Sequence, residues 1–187
     1  MNHTIVRTVV LTIAGYTVII STLLAQTAPE TGKVMTLQIS AISFPAVGTI
    51  PKTFTCDGQD VSPLLRWTEA PSSTKAFALI ADDPDAPAGT WTHWLMWNIP
   101  PSTHELHEGI SKNAQLPDGA RQGQNDFKKI GYNGPCPPPG KPHRYYFKLF
   151  ALDAPLEVKS GASRAQLEDA IQQHTLAHAE VMGRYGR

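Results

Sequence analysis

The segment 131–145, GYNGPCPPPGKPHRY, constrains the fold more than any other part of the chain. Its five prolines lack a backbone N–H donor and fix φ at about −65°, which excludes a helix interior and a central strand. Its glycines permit the backbone angles that a compact loop needs. The sequence therefore predicts a rigid loop that leads into a strand beginning near His143.

The residues that follow this loop, HRYYFKLF (143–150), are rich in aromatic side chains and typical of a β-strand. Because side chains alternate along a strand, we expect His143 and Tyr145 to share one face and Arg144 to point away. A histidine and a tyrosine held together beside a stiff loop predict the wall of a small polar pocket.

Two further predicted strands carry polar residues at their ends. The apolar run 76–81 is long enough for a buried strand and too short for a typical helix, and the turn-forming sequence DDPDAP follows it. The run 91–98 is another aromatic strand, on which His93 is expected to share a face with Leu95 and Trp97. Asp83, Asp85 and His93 can then cluster at neighbouring strand ends.

Four motifs together resemble the phosphatidylethanolamine-binding proteins, also called Raf kinase inhibitor proteins. They are TCDGQDVSPLLRW (55–67), which is similar to the bacterial branch of that family, DPDAP (83–87), His93 followed by WLMWN, and GPCPPPG…HRY (134–145). Four motifs in the family's order are far more specific than any one alone. The resemblance implies a mostly β fold, a β-sandwich of antiparallel sheets with peripheral helices that include a C-terminal helix.

The resemblance also implies a small anion pocket that binds phosphate-like groups or phospholipid headgroups, without an established catalytic activity. We expect no cofactor and no metal. The residues that match the family's site are Asp83, Asp85, His93, Gly134, Pro135, His143 and Tyr145. We expect the carboxylates to hold both imidazoles protonated, so that these can bind a phosphate monoanion. The family resemblance further favours a cis peptide bond before Pro84 or Pro87.

Alternative interpretations of these residues stay open at this point. Asp83 and Asp85 are also typical turn residues, and a histidine within an aromatic strand is often a hydrogen-bonded core residue. Asp83, Asp85, His93 and His143 have side chains that suit a metal site. No GxSxG motif occurs in the chain, and Cys136 lies in a proline loop without an evident general base, so we expect no enzyme.

Charge and composition limit the classes of function. Sixteen basic and sixteen acidic residues give a formal net charge of zero, which argues against a broad nucleic-acid-binding surface. The first hypothesis is an exported ligand-binding or regulatory protein. The second is a protein-interaction module that inhibits a kinase or protease, as family members elsewhere do, and the third is an unrecognised hydrolase.

The N-terminal segment has the pattern of a secretory signal peptide. Arg7 is the only lysine or arginine before residue 33, and an apolar or hydroxylic stretch runs from Thr8 to Ala25. We expect cleavage after residue 25, a linker over 26–34, a domain over 35–187, and a periplasmic or secreted protein. An uncleaved membrane anchor is the competing interpretation, because the apolar stretch approaches the length of a spanning helix.

The two cysteines, Cys56 and Cys136, both lie in segments that carry the resemblance, which places them around the same site. In an exported protein they can form a disulfide, whereas in a reducing compartment they would be two thiols. The sequence alone does not give the distance between their Cα atoms, on which a disulfide depends. Both alternatives therefore remain.

The remaining pattern gives an approximate map of the elements. Strands are predicted over 36–42, 53–56, 64–67, 76–81, 92–99 and 145–152, and 102–130 is predicted to be mostly loop with one short element. Ser163 and Gln166 fit a capping box, and apolar spacing then predicts a helix that continues to a C-terminal cap at Gly183. On such a helix His174 and His178 would lie one turn apart, a spacing that can bind metal, but because no third ligand is nearby we expect them to be partly exposed helix residues.

Overall fold

The computed structural model describes residues 7–13, 16–22 and 36–187, with side chains in the last range. Strands β1 (Arg7–Ile13) and β2 (Tyr16–Thr22) form an antiparallel hairpin. The predicted cleavage position and the 26–34 linker lie outside the described residues. Within the described ranges, no helix is both long and apolar enough to cross a membrane.

Residues 35–187 form a compact unit of their own, built from two antiparallel sheets. The smaller sheet has the order β3-β4-β7 and the larger sheet has the order β10-β9-β5-β6-β8. The strands are β3 (Ile39–Ala41), β4 (Leu65–Trp67), β5 (Ala76–Asp83), β6 (Trp91–Ile99), β7 (Glu105–Leu106), β8 (Arg121–Gln122), β9 (His143–Leu152) and β10 (Thr175–Tyr185). The predicted β-sandwich class is confirmed.

The main hydrophobic core lies between the two sheets. Trp67 of β4 packs edge-on against Phe77 of β5, with their ring centroids 5.4 Å apart. A second core lies on the other face of the large sheet, where the single α-helix of the described residues, α1 (Arg164–His174), buries Leu167 and Ile171. Because both faces of the large sheet are covered, every residue of β5 is buried.

Two predicted elements were wrong. The segment expected to be a strand over 53–56 instead contains a 3₁₀-helix over Lys52–Phe54. Pro51 stands immediately before this turn, and its carbonyl accepts a hydrogen bond from the Phe54 N–H at 3.0 Å. A proline with fixed φ followed by an i→i+3 bond favours a tight turn over an extended strand.

The predicted C-terminal helix begins as expected but ends nine residues before Gly183. The capping box of Ser163 and Gln166 is present, yet the helix ends at His174 and β10 follows at once. Ala177 and Val181 are separated by four residues, which suits one face of a helix and also one face of a strand. The edge of β9 is available, and pairing with it over ten residue pairs makes this segment a strand.

Candidate functional site

An irregularity in the large sheet sets the orientation of His93. Between β5 and β6 the register shifts, so that Ala81 pairs with Trp94 and Asp82 pairs with Thr92, which leaves His93 without an opposing residue. Such an extra residue is a β-bulge, which re-aims side chains. The His93 ring therefore packs against the Tyr145 ring, with 5.3 Å between their centroids, whereas Leu95 and Trp97 pack in the second core under α1. The expectation of a shared face for these three residues was wrong.

His93 is buried, and its Nδ1 atom lies 2.7 Å from the carbonyl oxygen of Asn133. Since a carbonyl oxygen only accepts, Nδ1 carries the hydrogen and donates it. Burial lowers the pKa of His93 below its ordinary value of 6.5, against the opposing effects of this hydrogen bond and of the Asp83 charge. At neutral pH the ring is therefore neutral and Nε2 is an acceptor, which corrects the expectation that both imidazoles are held protonated.

His143 is held by Asp83, with Nδ1 of the imidazole 2.8 Å from Oδ2 of the carboxylate. The other oxygen of Asp83 accepts a hydrogen bond from the backbone N–H of Asp85 at 2.8 Å. Both oxygens of Asp83 are thus used within the protein, and its side chain is only 5% exposed. Asp83 orients His143 and the turn that follows β5.

Tyr145 lies on the same face of β9 as His143, as predicted, but contacts the site from beneath. Its ring packs edge-on against His93, and its hydroxyl is buried without a hydrogen-bond partner among the described residues. Burial, followed by the Asp83 charge, raises the pKa of Tyr145 well above its ordinary value. The residue therefore remains a neutral phenol that supports the His93 ring.

Asp85 was expected in the pocket, but its carboxylate is bound to Arg144 instead. Oδ1 accepts from Nη2 of Arg144 at 2.6 Å, while Oδ2 accepts from its Nε and its backbone N–H, both at 2.9 Å. These bonds to Arg144 lower the pKa of Asp85 to about 2. The two residues pair because Arg144 alternates away from the His143 side of β9.

The proline-rich loop is fixed from beneath by Asp60. Its carboxylate accepts from the backbone N–H of Gly134 at 2.6 Å and from the side-chain amide of Asn133 at 2.8 Å. A Cβ atom at Gly134 would lie 2.1 Å from the carbonyl oxygen of Phe54, so this close approach requires glycine. Gly134 consequently packs against the protein and does not line the cavity.

A disulfide joins the same loop to the 3₁₀ turn. Cys56 and Cys136 are bonded, with 5.4 Å between their Cα atoms, and the Cys56 N–H also donates to the carbonyl of Pro135. Pro135, like Gly134, is therefore used in holding the loop. The prediction that the two cysteines approach each other at the site is confirmed, and the alternative of two thiols does not occur in the structure.

These elements form an open cavity of about 330 Å³. It is lined by Asp83, Ala86, Pro87, Ala88, Trp91, His93, Phe127, Cys136, Pro137, Pro138 and His143. Three of the seven predicted site residues, Asp83, His93 and His143, thus meet at one concave site. The rest of its wall is mainly apolar, and the peptide bonds before Pro84 and Pro87 are trans, contrary to expectation.

Comparison with known proteins places this chain in a family. The sequence profile of the phosphatidylethanolamine-binding protein family matches residues 40–186. The chain belongs to this family. A UPF0098 protein of Methanothermobacter thermautotrophicus is 48% identical over 140 residues, which cover 75% of this chain and 92% of the relative. A UPF0098 protein of Chlamydia muridarum is 42% identical over 154 residues, which cover 80% of this chain and 98% of that relative.

Solved structures of the phosphatidylethanolamine-binding protein family have the same fold. The homolog CT736 from Chlamydia trachomatis superposes with a TM-score of 0.74 at 38% identity, covering 81% of this chain and 98% of its own. Escherichia coli YbcL, described as a new member of the mammalian family, gives a TM-score of 0.76 at 34% identity, and the match covers 82% of this chain and 99% of YbcL.

Sequence reasoning missed several residues that shape the site in this family member. Phe127 packs edge-on against both Trp91 and His93, with centroid distances of 5.5 and 5.2 Å. It comes from the long segment predicted to be mostly loop, which offers no periodic signal. Asp60 belongs to the 55–67 motif that carries the family resemblance, but the sequence alone does not indicate its contact with Gly134, which depends on the fold.

His174 and His178 do not come together as a metal site. His174 ends α1 and bonds to Asp153 at 2.8 Å, whereas His178 lies on β10 and stacks on Phe150. The two are therefore not on one helical face. Across the described part of the chain, no group of three or more histidine, cysteine, aspartate or glutamate residues could hold a metal ion.

Proposed function

We propose that the protein binds a small phosphate monoester, free or as part of a headgroup, in the cavity formed by Asp83, His93 and His143. The observation that carries the proposal is the meeting of two imidazoles, whose Nδ1 atoms are both bonded to the protein, at one concave site. Each ring then has its Nε2 atom left for a ligand.

The charges of the cavity favour a monoanion. Neutral His93 offers an acceptor at Nε2, so a protonated phosphate oxygen can donate to it, while a protonated His143 can donate from its own Nε2. A phosphate monoester loses its second proton at a pKa of about 6. The dianion cannot donate to His93 and is repelled by Asp83, so binding should weaken as the pH rises through this range.

The apolar wall indicates that the ligand has a short carbon chain or ring beside its phosphate. Trp91 and Phe127 form an aromatic surface next to the imidazoles, and prolines and alanines complete it. We propose binding rather than catalysis, because no serine, threonine or thiol is among the residues that line the cavity, and its cysteine is bonded to Cys56.

The test is calorimetric titration of phosphorylethanolamine at pH 5.5 and 7.5. Wild type and a His178→Ala control, whose altered residue lies on β10 outside the cavity, should bind alike and more tightly at the lower pH. His93→Ala and His93→Gln should both bind at least tenfold more weakly. Equal binding by all four proteins would overturn the assignment, and release of inorganic phosphate would favour the hydrolase.

We also propose export from the cytoplasm. The apolar N-terminal segment and the Cys56–Cys136 disulfide support it together, because disulfides persist mainly in oxidising compartments. N-terminal sequencing of the protein from its own cells should give a start near Gln26. Intact Met1 in a cytoplasmic fraction would contradict export, and intact Met1 in a membrane fraction would support the uncleaved anchor.

A further inference from the structure

A second cavity lies next to the proposed ligand pocket and differs from it in charge. It measures about 400 Å³, and Pro138 and His143 belong to the walls of both cavities. Its other walls carry the cationic side chains of Lys141, Arg144 and Arg184 and a single carboxylate, that of Asp85. We refer to it as the basic cavity.

The positive charge of the basic cavity is only partly neutralised. Asp85 accepts three hydrogen bonds from Arg144, one from its backbone N–H and two from its guanidinium, and these two hold the guanidinium against the rim. Lys141 and Arg184 form no ion pair within residues 36–187 and are exposed. Two uncompensated cations in a concavity raise the local concentration of anions.

His143 lies in the wall between the basic cavity and the proposed ligand pocket. The imidazole is held by Asp83 on the pocket side, and the next residue, Arg144, is held by Asp85 on the other side. A phosphate bound at the Nε2 atoms of the imidazoles would therefore lie beside this shared wall. Because Pro138 and His143 line both cavities, a second anionic group a few bonds from that phosphate would extend across this wall toward Lys141 and Arg184.

We infer that the ligand is a small phosphate monoester with a neighbouring carboxylate, and that Lys141 and Arg184 bind this second group. The inference rests on the proposed function, because it assumes that the phosphate occupies the pocket of His93 and His143. It adds a specificity site that distinguishes doubly anionic esters from singly anionic ones.

O-phospho-L-serine and phosphorylethanolamine are a suitable pair of probes, since they differ by one carboxylate. Wild type should bind phosphoserine about three- to tenfold more tightly, a difference expected for one or two exposed ion pairs. Lys141→Ala/Arg184→Ala should remove this preference and weaken the binding of phosphorylethanolamine much less than that of phosphoserine. Raising the ionic strength from about 0.05 to about 0.5 M should also reduce the preference, because exposed charges are screened.

The control is Lys75→Ala/Lys159→Ala, which removes the same number of charges from exposed positions outside both cavities. It should keep the wild-type preference. Binding of phosphorylethanolamine without any gain for phosphoserine, or a gain that survives in Lys141→Ala/Arg184→Ala, would overturn the inference and leave the proposed function standing. Absence of binding for both probes in wild type would contradict the proposed function and this inference with it.

Discussion

The protonation of His93 is set by contacts that no local sequence pattern contains. The ring is buried between Tyr145 and Phe127 and donates from Nδ1 to the Asn133 carbonyl. The residue type and its motif were sufficient to predict that His93 lies at the cavity. They were not sufficient to predict a neutral ring, because that depends on burial and on a partner forty residues away.

The lowered pKa of His93 predicts a loss of stability in acid. In the unfolded chain His93 takes up a proton as the pH falls below its ordinary pKa of 6.5, whereas burial disfavours that proton in the folded protein. The unfolding free energy therefore decreases as the pH falls below 6.5. Urea unfolding at pH 7.5 and 5 should show a larger loss of unfolding free energy for wild type than for His93→Gln. Equal losses would contradict the assigned burial effect.

Asp60 gives a second prediction for a single residue. Replacing it by alanine leaves the Gly134 N–H and the Asn133 amide without their acceptor, which should cost about 2 kcal/mol of unfolding free energy. Asp153→Ala is the matched control, since it removes an exposed carboxylate that bonds to His174 and should cost under about 1 kcal/mol. A similar cost for both variants would mean that Asp60 does not hold the loop.

At the scale of elements, periodic patterns predicted the long strands well. β5, β6 and β9 begin and end within two residues of the predicted positions, because each is a continuous apolar or aromatic run. The misassigned end of α1 has a different cause, since alanine and valine four residues apart fit either structure. Only the free edge of β9 decides between them, and this is a tertiary property.

The N-terminal cap of α1 supplies the prediction for this scale. Ser163 and Gln166 bond reciprocally, and the Ser163 hydroxyl is the acceptor for one otherwise unpaired N–H of the first turn. Ser163→Ala should therefore lower the unfolding free energy by about 1 kcal/mol. Ser160→Ala, in the preceding exposed loop, should change it by less than about 0.5 kcal/mol. Indistinguishable denaturation curves for the two variants would contradict the role of the cap.

For the whole molecule, the disulfide links two parts of the chain that are distant in sequence. It joins Cys56 to Cys136 across a separation of 80 residues, and Cys136 forms part of the wall of the cavity that contains His93 and His143. In the chain-entropy description a loop of this length contributes about 4 kcal/mol. Cys56→Ser/Cys136→Ser should lose up to this amount in urea unfolding under oxidising conditions. An unchanged midpoint would contradict it.

The family resemblance anticipated the sandwich and three residues of the cavity, but not the division of charge between two cavities. Asp85 differs from Asp83 only by position in a turn, yet the two carboxylates bind Arg144 and His143 on opposite sides of the shared wall. The two carboxylates have different partners because side chains alternate along β9, which directs His143 and Arg144 to opposite faces of the strand. Predicting this division of charge required knowing that the turn after β5 lies beside the start of β9, and the sequence alone does not specify this contact.

The central claim, that both imidazoles present Nε2 to a phosphate monoester, is tested most directly by ¹⁵N NMR of the histidine rings. At pH 7 without ligand, His93 should give the spectrum of a neutral ring with hydrogen on Nδ1. Adding phosphorylethanolamine should shift the Nε2 signals of His93 and His143, while those of His178 stay unchanged. A protonated His93 before addition, or binding that leaves both Nε2 signals unmoved, would contradict the account.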